Sequence, residues 1–233
     1  MCFPVEPTSP TALREPFFYN VDTKALIDKL PEDVRSNDIC ISALKFVAPN
    51  VHPSILNHSI RTFLHAYDIA EDEGSAFEDE RLHLLFAACL LHDLGASPNY
   101  DGPQRFEVEG ADVATDFLTS NGVSKEDAHE VWVAIACHSS AGIAEKISEL
   151  SRLVRTAVLI DFGKKMDLSE EAEDEKEEIE EKWPRDNIEK ILGDEVVKQA
   201  VKNPDKAPPA SWPGILYRAH LAEPQWQGVN RAF

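Results

Sequence analysis

The sequence predicts an all-α fold, and three observations carry that expectation. Apolar residues recur at helical spacing in one segment after another, as at Ile41, Leu44, Val47 and Ala48. Proline and glycine stand where helices would start and stop. No stretch of any length shows the apolar–polar alternation of a strand, and there is no internal repeat.

Residues 1–20 hold four prolines and no helical period, so they are expected to form an irregular arm, with the Phe17-Phe18-Tyr19 cluster lying across the body of the fold. Residues 21–233 are expected to form a single helical domain. A short helix is expected over Asp22–Leu30, stopped by Pro31, and another over Asp38–Ala48, ended by Pro49. Pro53 suits the first turn of a long helix to Glu73, because an amide hydrogen there has no helical partner to lose. Ile55, Leu56, Ile60, Phe63, Leu64 and Tyr67 form its apolar stripe, and Gly74 closes it. Glu78–Asp93 reads as a helix almost wholly apolar from Leu84 to Leu91, which places it at the centre, with Gly95 as its stop. A loop follows from Ala96 to Arg105, then a helix over Glu107–Ser120. Ser124, backed by Glu126 and Asp127, caps the next helix, which reaches His138. Residues 147–163 read as a further apolar helix. Residues 170–182 are a solvated acidic segment, helical or disordered, and 186–233 comprise an amphipathic helix and a tail rich in Pro and Trp, with a short helix around Ile215–Leu221.

Composition narrows the function classes. A formal net charge of -19 with no cluster of Lys and Arg argues against a nucleic-acid partner, since phosphate neutralisation needs such a cluster. No apolar run is long enough to span a bilayer, and the N-terminus lacks the basic and apolar regions of a signal peptide. The four cysteines, Cys2, Cys40, Cys89 and Cys137, show no CxxC spacing and read as thiols of a reducing compartment. The expectation is a cytoplasmic protein with a small-molecule substrate. The acidic segment and the tail are candidate surfaces for self-association as a homo-oligomer.

Five of the eight histidines, His52, His65, His83, His129 and His220, read as surface or packing residues. His92 differs, because Asp93 follows it at the end of the most apolar helix. A buried carboxylate is costly unless its charge is compensated, and a bound cation is one such compensation. His58 lies on the preceding helix, and Asp161 follows four apolar residues, Ala157-Val158-Leu159-Ile160. Three helices thus bring together two imidazoles and two carboxylates, a mixed N/O set suited to Zn²⁺, Fe²⁺ or Mn²⁺.

The order His58, His92-Asp93, Asp161 resembles the H…HD…D signature of the HD-domain metal-dependent hydrolase superfamily, over roughly residues 50–165. The resemblance implies an HD-type helical bundle in which these four residues hold one divalent ion, Zn²⁺ foremost, with Asp167 the alternative for the last position. A narrower likeness runs through Asn57-His58-Ser59-Ile60-Arg61, His92-Asp93-Leu94-Gly95, Phe106-Glu107-Val108-Glu109-Gly110 and Cys137-His138, which resemble the fungal cyanamide hydratase branch. That likeness implies addition of water to the nitrile of cyanamide, giving urea, by metal-bound hydroxide. No histidine stands between His92 and His129, which favours one metal, although His129 and His138 leave a second site open.

Glu107 is the first candidate for proton handling, with Glu109 in reserve, and His138 for orienting substrate or protonating nitrogen. Arg61, one turn from His58, is the candidate substrate contact, and Arg105 borders the loop. Two other functions stay open: hydrolysis of a nucleotide or small phosphate ester, which needs such cations beside the metal, and a non-catalytic binding scaffold.

Overall fold

The computed structural model describes residues 16–164 and 170–233. Within them the chain is all-α, with twelve helices, short 3₁₀ turns and no strand. Residues 1–15 of the arm lie outside the described residues. Its last part is fastened by backbone bonds: the Phe17 amide donates to Asn99 Oδ1 (2.9 Å), and the Tyr19 amide to the Pro49 carbonyl (2.8 Å). Of the aromatic cluster, Tyr19 packs edge-on against His52, whereas Phe17 and Phe18 stay exposed.

Helix α1 (Thr23–Ile27) is capped by the Asp22 carboxylate, which accepts from the Lys24 and Ala25 amides. Pro31, expected only as a stop, also opens α2 (Glu32–Ser36), whose first turn carries Glu32 and Asp33. Then follow α3 (Asp38–Val47), capped by Asn37, and α4 (Pro53–Glu73). Pro53 does occupy the first turn of α4, and Gly74 ends it at φ 62°, where a side chain would be strained.

Helix α5 (Leu82–Leu91) is shorter than the expected Glu78–Asp93, because a 3₁₀ turn at Ala76–Glu78, capped by Ser75, takes up the start. Every residue of α5 except His83 is buried, so it has no solvent face and sits at the centre, packed by α3, α4, α7 and α9. Gly95 is needed for space. A Cβ there would stand 1.9 Å from the Phe106 carbonyl oxygen and 2.7 Å from the Gly110 amide nitrogen, so the turn Leu94–Ala96 lies directly on α6 (Phe106–Ser120). Gly95→Ala is therefore expected to destabilise the fold by about 1–3 kcal/mol. A lowered guanidinium midpoint at constant slope would show it, and an unchanged midpoint would contradict this close approach.

Helix α7 (Lys125–Cys137) starts at its Ser124 cap, and α8 (Ala144–Ile147) leads into α9 (Glu149–Asp161), capped by Ser148. The acidic segment is helical, as α10 (Glu170–Lys182). Helices α11 (Ile188–Lys202) and α12 (Trp212–Ala222) pack on each other, and α11 on α4. No described helix is long and apolar enough to cross a membrane. Cys40 and Cys89 are buried free thiols; burial pushes Cys40 up to about 12, which suits packing rather than reactivity.

Candidate metal centre

Three of the predicted residues converge. His58 comes from the middle of α4, His92 is the residue that ends α5, and Asp93 follows it at the turn. All three are buried, and ligand atoms of theirs lie within 4.8 Å of one another. His138, which ends α7, brings a second ring against the group, 4.9 Å from that of His92 between centroids.

The outer nitrogen of each imidazole is engaged. His92 Nδ1 is 2.7 Å from the Cys89 carbonyl, and His138 Nδ1 is 2.7 Å from the Ile135 carbonyl. A carbonyl can only accept, so both rings donate from Nδ1. His58 Nδ1 is 2.7 Å from Asp161 Oδ2 and donates likewise. Each ring therefore turns Nε2 inward: at 3.5 Å (His58) and 3.1 Å (His92) from Asp93 Oδ2, and at 3.5 Å (His138) from Asp93 Oδ1. His58 Nε2 and His92 Nε2 are themselves 3.1 Å apart.

Lone pairs facing one another across such distances repel unless positive charge lies among them. Both Asp93 oxygens are buried without a hydrogen-bond partner; the imidazole contacts are close but lack hydrogen-bond alignment. Burial opposes ionisation of Asp93, yet the His92 and His138 rings outweigh it and hold the carboxyl well below the usual range. Burial likewise opposes charge on His92, and the Asp93 carboxylate and Cys89 carbonyl overcome it, raising that ring. On His58 burial wins, and the ring is lowered. An ionised buried carboxylate, the inward nitrogens of His58 and His92 beside it and no hydrogen bond to either oxygen fit a divalent cation. Nitrogen and oxygen donors of this kind suit zinc and its neighbours, and rings held by outer acceptors are typical of metal-ligating histidines.

Asp161, the fourth expected ligand, lies outside that group of three. It stands behind His58, with Oδ1 accepting from Arg61 Nε (2.6 Å) and Oδ2 accepting from Arg61 Nη2 (3.0 Å) and His58 Nδ1. Burial works against its charge, but His58 and Arg61 hold it far below the usual carboxylate range. Asp167 lies outside the described residues. Arg61, read as a substrate contact, lies outside the cavity lining: it is fully buried, and Nη1 donates to the Trp183 and Pro184 carbonyls (2.9 and 3.1 Å). It clamps the start of α11 to α4, where Asn57 and Ser54 also donate to the Pro184 and Asp186 carbonyls.

A cavity of about 570 Å³ opens from the inner faces of His58, His92, Asp93 and His138. Val158, Phe162, Leu192, Trp212 and Phe233 give it apolar walls, with Arg155 and Lys164 also in the lining. Glu107 is not in the wall. It is fully buried and holds Ser139, which is, through a 2.6 Å bond from Ser139 Oγ. Glu109 instead accepts from the Gln104 amide at the loop. His129 is exposed and stacks on Trp132, away from the lining. The sequence reading missed Ser139, Trp212 and Phe233. Adjacency to His138 was the one available signal for Ser139, and nothing in the sequence tied the tail to the site.

Comparison with known families matches residues 55–200 to the HD domain. The chain belongs to the HD domain family. Its members are generally metal-dependent hydrolases, and the His-His-Asp group described above is where this HD domain can hold the ion. No curated protein matches the chain.

His65, on the same helix as His58, is a packing residue with its own signature. It is 5% exposed, its Nε2 has no partner, and burial lowers the ring to about 4 from 6.5. A histidine lowered in the folded state takes up its proton first when unfolded. Stability is thus full above about pH 6.5 and falls as pH drops toward 4, by about 3 kcal/mol at 1.36 kcal/mol per pH unit. His65→Leu is expected to flatten that part of a stability–pH curve; an unaltered slope would place the titration elsewhere.

Proposed function

We propose that this HD domain is a hydratase that adds water across the nitrile of cyanamide or a similarly small, uncharged nitrile. Its centre is His58, His92 and Asp93 with one divalent ion, Zn²⁺ foremost. The observation that carries the reading is the apolar wall that Val158, Phe162, Leu192, Trp212 and Phe233 build around the centre. Arg61 lies outside the lining, bound to Asp161 and to the Trp183 and Pro184 carbonyls, and Arg155 bonds Glu145 Oε1 (3.2 Å) and the His138 carbonyl (3.2 Å). Lys164 donates to the Phe233 carbonyl at 3.1 Å. The two cations of the lining are thus each tied to protein partners, and a small neutral molecule fits the apolar walls beside them as they stand.

A divalent ion supplies Lewis acidity and lowers the pKa of water toward about 7. The chain's own residues do the rest. Asp93 and the two inward imidazoles fix the charge at the closed end of the cavity. His138 Nε2, held inward by the Ile135 carbonyl, can accept a proton from water and return it to the nitrile nitrogen. Phe162, Val158 and Trp212 keep bulk water from the reacting carbon. Overall H₂N–C≡N and H₂O become (H₂N)₂C=O, with one new C–O bond and both water protons passed on to nitrogen.

Arg155 and Lys164 in the same lining favour one second reading, hydrolysis of a phosphate monoester. The two separate in one assay of metal-loaded protein given cyanamide and, in parallel, nucleoside monophosphates. Urea without inorganic phosphate is the expected result. Phosphate without urea would overturn the hydratase reading.

A further inference from the structure

Glu107 is a fully buried carboxylate outside the metal group, and its bonds fix the polarity of a cavity hydroxyl. Both oxygens face Arg105: Oε1 accepts from Nη2 at 2.6 Å and Oε2 from Nε at 3.3 Å. Beside that guanidinium Glu107 is an acceptor only. Oε1 also takes the 2.6 Å bond from Ser139 Oγ, and serine has a single hydroxyl proton. With that proton spent on Glu107, Ser139 can offer a cavity ligand lone pairs and nothing else. Ser211, another hydroxyl of the lining, is committed both ways: it donates to the Pro208 carbonyl (2.7 Å) and accepts from the Gly214 amide (3.1 Å).

Ser139 follows directly on His138, and both line the cavity, where the imidazole also turns a lone pair inward. The Asp93 carboxylate, the His138 ring and the Ser139 hydroxyl thus all present acceptors to the cavity. We propose that Ser139, polarised by Glu107, is a specificity-determining residue that selects substrates bearing an N–H on the reacting carbon, over alkyl analogues of the same shape. This rests on the hydratase reading and sharpens it: cyanamide carries such an amino group, and acetonitrile, equal in shape, carries a methyl in its place.

The test uses two unreactive ligands of matched shape, urea with its N–H donors and acetone without them. Both are titrated by NMR into the metal-loaded protein. The wild type is expected to prefer urea. Ser139→Ala should weaken urea by about tenfold, the upper range for one lost hydrogen bond, and leave acetone unchanged. Ser139→Thr, which keeps a hydroxyl, should restore most of the preference, and this guards against a misfolded alanine variant. Glu107→Ala, which frees the hydroxyl to turn and donate, should narrow the gap from the acetone side. An equal urea-to-acetone ratio in wild type and Ser139→Ala overturns the proposal. Because neither ligand reacts, a preserved preference in a protein that forms no urea from cyanamide would count against the hydratase reading alone.

Discussion

Asp93→Ala is expected to abolish metal-dependent stabilisation and activity together. Asp93 is the one carboxylate among the inward nitrogens, and neither of its oxygens has another hydrogen-bond partner. A ligand that binds only the folded state stabilises it by about 4 kcal/mol when present at a thousandfold over its dissociation constant. For a chain of this size that corresponds to a rise in Tm of about 8–16 °C. The wild type should show such a rise on titration with Zn²⁺, and the variant should show none and produce no urea. The metal-free variant should still melt cooperatively, because the alanine leaves no new buried charge behind. A full metal-induced shift in Asp93→Ala would mean that the ion sits elsewhere.

Asp161→Ala should act in the opposite way, on the fold first. Arg61 is wholly buried, and Asp161 is the anion that answers its charge. Removing one member of a buried pair leaves an uncompensated ion, which costs about 3–5 kcal/mol. A thermal melt of the metal-free protein should fall by about 10 °C or more. Metal affinity should weaken by about 10–100-fold, the usual effect of losing the group that orients a ligating histidine, rather than disappear. Arg61→Met combined with Asp161→Leu should recover much of the stability and none of the affinity. Complete loss of metal binding with an unchanged melt would make Asp161 a direct ligand after all.

The sequence reading placed helices well where covalent constraints act. Pro53, Gly74 and the Ser124 cap mark boundaries by their own chemistry, and those ends fall where expected. It overran at α5, because the charged run Glu78-Asp79-Glu80-Arg81 carries no apolar phase and suits a helix's first turn as well as the turns before it. In the site, His58, His92 and Asp93 were legible because a buried charge in an apolar run demands a partner. The same reasoning applied to Asp161, which found its partners in Arg61 and His58. Burial predicts that a partner exists and says nothing of which. The walls were out of reach, since Trp212 and Phe233 arrive by tertiary packing, edge-on to each other 5.5 Å apart.

The most direct test of the account is an anomalous difference map from crystals of the Zn²⁺-loaded protein. It should show one strong peak among His58 Nε2, His92 Nε2 and the Asp93 carboxylate, open toward the cavity that His138 lines. No peak there, or a peak only in the acidic surface cleft lined by Asp33, Glu71 and Glu78, would contradict it.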